Sequence, residues 1–263
     1  NRYAQTDPDM KFFPFQDTPN NNYSTTNTDW YDQFYKKGSS QEYTLSMSGG
    51  SENIKNYISA SYFQSDGTVR GNKQERFSLR ANVDVKLHKK LTLGINTSFS
   101  YNVNDMFSPG NDYYTYLPII SPYNEDGSYR LYYDYIENKN GVPTVRSSRF
   151  FNSIAEREEN DNKQRTLANM TTSSLRYNII DGLQLTGEFG LDYTSASEET
   201  YQAMTNWSGR NTLDGGKEVG YATRNSANSL NWNTVLRLNF DKTFGKHTVG
   251  ALLAAEAQSD EDR

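Results

Sequence analysis

The chain has 263 residues and no cysteine, which excludes disulfides and thiolate metal sites. It contains two histidines, and none of its apolar runs approaches the ~18 residues that a membrane-spanning helix needs. An excess of positive charge is also missing, because the net charge is -5 and the pI is near 5.2. These absences argue against an inner-membrane helical protein and against nucleic acid as a partner.

Aromatic residues are abundant although the chain as a whole is polar. The mean hydropathy of -0.89 is typical of a disordered chain, but 14% of the residues are aromatic, including 20 tyrosines and 13 phenylalanines. Disordered chains are poor in aromatic residues. A membrane β-barrel resolves the conflict, because half of each strand and all of each loop face water.

Apolar and polar residues alternate regularly between 76 and 102, interrupted around 88–90. Since successive side chains of a strand point to opposite faces, this pattern predicts a hairpin with one apolar and one polar face. Each arm has about eleven residues, enough at ~3.3 Å per residue to cross a bilayer core, whereas soluble strands usually have ~5–6. The residues predicted to face lipid are Phe77, Leu79, Val83, Val85, Leu91, Leu93, Ile95 and Phe99.

Charged residues of the strands fall on the polar parity. On the lipid face a basic side chain would cost ~2–4 kcal/mol at the bilayer midplane, so we expect these charges to face the lumen. There they either influence the solute or contact a plug, or they are simply solvated. The predicted lumen-facing charges are Arg76, Arg80, Asp84, Lys86, Glu188, Asp192 and Arg237.

The same periodicity predicts the organisation of the whole chain. The predicted strands are 41–49, 55–63, 76–87, 91–102, 166–179, 183–193, 229–240 and 247–258. Their connections alternate between short turns and long loops, and the two longest loops are 103–165 and 194–228. Short periplasmic turns opposite long extracellular loops are typical of outer-membrane barrels. The predicted fold is therefore all-β, a transmembrane antiparallel β-barrel segment of about eight strands.

Residues 27–102 also resemble a known family. The passage Asn27-Thr28-Asp29-Trp30, Gly38, and Gln41 followed by Leu45-Ser46-Met47-Ser48-Gly49-Gly50 is similar to SusC/RagA-type TonB-dependent transporters. The similarity continues through 57–62, 67–69, 76–80 and 91–96, and it is looser at 179–183.

This resemblance implies a place in a larger barrel. In the family the passage follows the plug domain, at the start of a barrel of roughly 22 strands. Residues 1–40, which lack periodicity, are then a linker or plug-to-barrel junction; 41–258 are barrel strands and loops, and 259–263 are a truncated end or the start of a loop. Eight strands do not enclose so wide a pore, so the remaining barrel strands must come from residues outside this sequence or from another chain.

The resemblance also implies a function and partners. These are energy-coupled import of glycan (oligosaccharide) or peptide nutrients across the outer membrane of a Gram-negative, Bacteroidetes-type bacterium. The expected partners are a SusD-like surface lipoprotein, TonB acting through a plug absent from this sequence, and outer-membrane lipid. A different hypothesis is an extracellular all-β glycan-binding module or adhesin. The segregation of long loops and the long strands favour the barrel.

Tyrosines are concentrated in the first long loop. Their rings can stack on sugars and their hydroxyls can form hydrogen bonds, which predicts a loop that contacts ligand or the lipoprotein lid. The alternatives are packing of the loop against itself and an interfacial aromatic girdle. The candidate residues are Tyr113, Tyr114, Tyr116, Tyr123, Tyr129, Tyr132, Tyr133 and Tyr135.

Other candidate sites favour simple structural roles. Residues 124–128 offer oxygens but lack the spacing of an EF-hand calcium loop, so a turn is favoured. His88 and His247 lie far apart in sequence and are interpreted as solvated turn residues, and the acidic cluster 156–161 as solvated loop charge. No Gly-x-Ser-x-Gly motif or other catalytic set is present. We therefore expect no enzyme, no metal and no cofactor.

Overall fold

A computed structural model describes residues 15, 17–18, 21–108, 116–139, 141–210, 213–214 and 217–263, with the backbone alone at 138, 139, 213 and 214. Eight antiparallel strands form one sheet in the order β1-β2-β3-β4-β7-β8-β11-β12. The order of the sheet is thus the order of the chain, and the strands omitted from it belong to the connections. This arrangement confirms the predicted all-β antiparallel fold class.

The bounds of the elements are as follows. The sheet contains β1 (Ser39–Gly50), β2 (Ile54–Asp66), β3 (Lys73–His88), β4 (Leu91–Asp105), β7 (Asp161–Ile180), β8 (Leu183–Gln202), β11 (Tyr221–Phe244) and β12 (His247–Asp262). The connections contain β5 (Tyr132–Lys139), β6 (Val142–Arg149), β9 (Leu213–Asp214), β10 (Lys217–Glu218), and helices α1 (Trp30–Phe34), α2 (Ser153–Glu159) and α3 (Trp207–Arg210). Among the described residues, no helix is long and apolar enough to span a membrane.

The strands are longer than their periodicity predicts. β8 and β11 have 20 and 24 residues, so the third long connection is 203–220 and not 194–228. Their extensions carry serine, threonine and charged residues on both faces, which removes the apolar alternation while backbone pairing continues. For the same reason β12 continues through residues 259–262, paired with Ser229–Trp232, where the sequence analysis expected the strand to end at 258.

Register gathers the predicted apolar residues on one face of the sheet, called here the apolar face. Phe77 lies opposite Tyr101, Leu79 opposite Phe99 and Val83 opposite Ile95. Large apolar side chains of this face remain exposed, including Leu45 at 78% and Leu253 at 71%. From Phe77 to Leu87 the face measures ~33 Å along β3, or ~25 Å at a strand tilt of ~40°, which matches the apolar band of outer-membrane barrels.

Connections of different length lie at opposite ends of the sheet. At one end the strands join through residues 51–53, 89–90, 181–182 and 245–246, and Gly182 and Gly245 adopt positive φ of 82° and 62° in two of these tight turns. At the other end the connections are 67–72, 106–160 and 203–220. The predicted segregation of short and long connections is therefore present. Within the described residues β1 and β12 each pair with one neighbour, so both edges of the sheet are open.

The first long connection is folded. It contains the hairpin β5–β6 and helix α2, and β4 and β7 extend into the region 103–165 that the sequence analysis assigned to loop. The described part of residues 1–40 includes α1 and reaches β1 at Ser39, and it packs against this connection. The assignment of 1–40 as a plug-to-barrel junction stays a prediction.

Candidate functional site

A small hydrophobic core lies at the long-loop end, outside the sheet. Phe34 of α1 and Ile154 of α2 are fully buried, with Trp30 and Phe150 beside them. The ring centroids of Trp30 and Tyr116 are 4.8 Å apart in an edge-to-face arrangement. Full burial of each large side chain contributes ~1.5–3 kcal/mol. This core, called the loop core, unites residues from the start of the chain with the connection 106–160.

Hydrogen bonds fasten the segment before β1 to that connection. The Thr28 amide donates to the carbonyl oxygen of Pro118 at 2.7 Å, and the Trp30 indole donates to that of Leu117 at 3.1 Å. The Tyr23 hydroxyl donates to the carbonyl oxygen of Asp134. These contacts fix residues 21–35 as part of the folded end of the molecule.

Helix α2 begins at a buried asparagine that bonds in two directions. Asn152 Oδ1 accepts from the amides of Ile154 and Ala155, at 3.1 and 3.3 Å, as an N-cap. Its amide nitrogen donates to the carbonyl oxygens of Pro122 and Arg130, at 2.7 and 3.1 Å. Asn152 is 1% exposed, so the helix is positioned by the hairpin region that precedes it.

Glu156 corrects the expectation that residues 156–161 are solvated charge. It is 5% exposed, and its Oε1 accepts from the Ser208 amide at 3.0 Å. Its Oε2 accepts from Asn160 Nδ2 at 2.6 Å, and Asn160 Oδ1 accepts from the Ala203 amide at 2.8 Å. The carboxylate is buried because amide donors of the third connection replace its water. Sequence spacing alone does not reveal this contact between two loops.

Residues 124–128 form a turn, as predicted. The Gly127 amide donates to the Asn124 carbonyl oxygen at 3.0 Å, and Gly127 has φ of 83°. Asp126 Oδ1 accepts from the amide and hydroxyl of Ser128, at 2.9 and 2.6 Å, and these bonds hold the pKa of Asp126 below its usual value. The described part of the chain contains no group of three or more acidic or histidine side chains arranged to hold a metal.

The tyrosines of the first long loop divide between packing and exposure. Tyr116 contributes to the loop core and donates to the Phe151 carbonyl oxygen at 2.7 Å. Tyr129 and Tyr133 pack against the same core, and Tyr133 lies 6.4 Å from Tyr135 between ring centroids. Tyr123 and Tyr132 are exposed. Tyr113 and Tyr114 lie outside the described residues. Contact of any of these tyrosines with ligand or lid stays a prediction.

A groove of about 1120 Å³ separates the first long connection from the third. We call it the loop groove; it is lined by Asn124, Asp126, Tyr129, Tyr132, Glu159, Met204, Arg210 and Glu218, among others. Arg210 lies over the Tyr132 ring with its Cζ 5.5 Å from the centroid, and its Nε lies 3.3 Å from Glu218. The groove combines aromatic surface with charges of both signs, which suits a polar solute.

Burial changes the ionisation of groups beneath the groove. Desolvation raises the pKa of Tyr23 to about 12 and also raises the pKa of Tyr129. It lowers the pKa of Arg130, whose guanidinium donates to Asn21 and to the carbonyl oxygens of Ser121 and Tyr123. The hydroxyls of both tyrosines therefore remain protonated at neutral pH.

The predicted lumen charges all lie on the face of the sheet opposite the apolar face. Asp84 Oδ1 lies 3.6 Å from an Arg176 guanidinium nitrogen across Gly94, where a Cβ would approach the carboxylate to 2.8 Å. Glu188 pairs with Arg237. Arg80 and Asp192 line one cavity of about 540 Å³. Arg76 lies over the Phe63 ring at 5.2 Å, and Lys86 is exposed at the short-turn end. That this face lines a lumen stays a prediction.

The two histidines lie at the short-turn end. His88 ends β3, and its Nδ1 accepts from the Lys90 amide at 3.3 Å. His247 begins β12 opposite Phe244. Both side chains are exposed, as expected, although they lie at strand ends and not within the turns.

Comparisons with known proteins agree with this architecture. The chain is 31% identical over 240 residues to TonB-dependent receptor P3 of Formosa agariphila, covering 86% of the chain and 22% of that protein. It is 29% identical over 245 residues to TonB-dependent receptor P26 of the same organism, covering 91% and 23%. The RagAB peptide importer in its open-open state superposes with a TM-score of 0.66 at 18% identity, covering 99% of the chain and 28% of that structure. The chain is a barrel segment of the SusC/RagA type of TonB-dependent transporter.

The extent of these matches limits what they show. This barrel segment spans less than a quarter of the length of the curated relatives it matches. In the closed-closed state the RagAB structure gives a TM-score of 0.63 over 90% of the segment, at 18% identity, which supports the fold. No family model matches the segment.

Proposed function

We propose that the chain forms part of a TonB-dependent outer-membrane transporter that imports an oligosaccharide or peptide nutrient with a SusD-like surface lipoprotein. The observation that carries this proposal is the division of one sheet into an exposed apolar face and a charged face, with all long connections at one end. A bilayer would cover the first face and an aqueous lumen the second. An extracellular binding module in water would leave the apolar face uncovered.

The remaining parts of the mechanism follow from this placement. The open edges at β1 and β12 are continued by other barrel strands, because unpaired backbone groups in a bilayer are strongly unfavourable. The loop groove captures the solute at the cell surface, where the lipoprotein covers it as a lid. Force transmitted by TonB moves the plug and opens the lumen. No step requires an enzymatic residue or a cofactor of this chain.

Uptake by whole cells tests the proposal. The full-length gene is deleted in its own bacterium, and growth is compared on single oligosaccharide mixtures and on peptide digests. We expect a defect on one of the two nutrient classes and the same defect when TonB or the neighbouring lipoprotein is removed. Normal growth on both classes, or localisation of the full-length protein outside the outer membrane, would disprove it.

A further inference from the structure

The apolar face changes its chemistry beyond the bilayer band, on the strands that reach the long connections. Leu167, Tyr193 and Leu230 are the last large apolar residues of this face on β7, β8 and β11. The next positions of the same face, toward the long connections, form what we call the headgroup patch. It consists of Arg165, Ser195, Ser197, Glu199, Arg224, Ser226 and Asn228. The patch is thus continuous with the surface that faces lipid under the proposed function.

The patch carries a local excess of positive charge. An Arg165 guanidinium nitrogen lies 2.6 Å from Glu199 Oε2, and Arg224 Nε lies 3.5 Å from Glu199 Oε1. One carboxylate thus stands between two guanidiniums. The Arg224 side chain is 72% exposed, so most of its donors face away from the sheet. A guanidinium fork of this kind is well suited to phosphate oxygens.

Hydroxyls and an amide separate these arginines from the apolar band. On β11, Ser226 and Asn228 lie between Arg224 and Leu230, a distance of ~20 Å along the strand. On β8, Ser195 and Ser197 lie beside them in register. Acyl chains that cover Leu230 would therefore place a polar group of sugar-like size against these side chains, and a terminal phosphate near Arg224.

We propose that the headgroup patch binds the phosphorylated sugar headgroup of a glycolipid in the outer leaflet. The assignment rests on the proposed function, because it requires the apolar face to contact the outer membrane. The guanidiniums bind the phosphate, the serine hydroxyls and Asn228 bind sugar hydroxyls, and the apolar band contacts the acyl chains. A lone phospholipid phosphate would lie at the bilayer surface and leave most of the patch without a ligand.

Lipid binding to the intact transporter tests this assignment. The purified full-length protein is placed in nanodiscs of phosphatidylcholine that contain an acylated diglucosamine bearing two phosphates, or the same lipid without phosphates, and bound lipid is measured by native mass spectrometry. We expect selective retention of the phosphorylated lipid. Arg224→Gln should weaken retention roughly fivefold, and Arg165→Gln with Arg224→Gln ~20-fold or more, since each basic residue near a charged headgroup contributes about this factor.

Controls separate this site from other effects. Arg146→Gln removes an exposed guanidinium that pairs with Glu137 on the β5–β6 hairpin, away from the patch, and should leave retention unchanged. Equal retention by the double variant, equal binding of the dephosphorylated lipid, or displacement by millimolar inorganic phosphate would overturn the assignment. Arg224→Gln tests it even if the double variant does not fold. Nutrient uptake measured in parallel distinguishes this failure from failure of the proposed function.

Discussion

Arg210 and Tyr132 join two connections that are 78 residues apart in sequence. The guanidinium carbon lies 5.5 Å from the Tyr132 ring centroid, and Nη1 lies 3.3 Å from the hydroxyl oxygen. Since Arg210 also pairs with Glu218, it fixes one wall of the loop groove against the other. The width of the groove thus depends on a single side chain.

Replacing Arg210 with alanine should therefore widen the groove. The lost stacking interaction contributes ~0.5–1 kcal/mol at an exposed site, so we expect the affinity for the imported solute to fall about two- to fivefold. Isothermal titration with the full-length transporter and its solute measures the change. Arg146→Ala serves as the matched control, because Arg146 is also exposed and also pairs with a glutamate. An unchanged affinity would show that the solute does not use this groove.

The loop core should unfold without loss of the barrel when its central aromatic residue is removed. Phe34→Ala deletes a fully buried ring, which costs ~3–5 kcal/mol, more than a core of this size is expected to tolerate. We expect rapid proteolysis within 106–160 while the sheet stays resistant. Tyr31→Ala on the same helix removes a side chain that is 70% exposed and should leave the digestion pattern unchanged. Slow cleavage of both variants would contradict the proposed role of the core.

Glu156 should link the first and third connections. Glu156→Gln keeps the shape but removes the charge that accepts from the Ser208 amide, and a buried charged hydrogen bond contributes ~1.5–3 kcal/mol. We expect faster hydrogen exchange of amides in 203–210. The neighbouring Glu158→Gln changes a half-exposed carboxylate that pairs with Arg157 and provides the comparison. Similar exchange in both variants would mean that Glu156 does not couple the loops.

High pH should loosen the long-loop end through Tyr23. Its folded-state pKa of about 12 exceeds its ordinary value of 10.0, because burial disfavours the phenolate. The contribution to stability is complete below pH 10.0 and is lost as the pH rises toward 12. Loop proteolysis as a function of pH should show this transition, and Tyr23→Phe should reduce it. A transition of the same size in Tyr23→Phe would assign it to other groups.

Two adjacent residues of β3 should tolerate charge very differently. Ala81 lies on the apolar face near the middle of the band, whereas Asn82 lies on the opposite face. Ala81→Arg should destabilise the full-length barrel by ~2–4 kcal/mol in liposomes, while Asn82→Arg should cost much less. Urea unfolding of the reconstituted protein measures both. Equal destabilisation would indicate that the two faces are not divided between lipid and water.

Much of the barrel wall follows from sequence alone, because the physical requirement is local. Phe77 and Arg76 point to opposite faces for any strand, so alternation determines the faces and short turns determine which strands pair. Periodicity ends where both faces become polar. For that reason the analysis missed the outer parts of β8 and β11, whose pairing depends on neighbouring strands and not on apolar side chains.

The loops depended on tertiary structure. Trp30 and Tyr116 are 86 residues apart in sequence, and no local pattern indicates that their rings meet. Glu156 looks like a solvated charge until the Ser208 amide is placed against it. The sequence by itself determined the strands, their faces and the ends at which loops lie. The three-dimensional fold decided which loop residues are buried and which line the groove, because those contacts join segments that are distant in the chain.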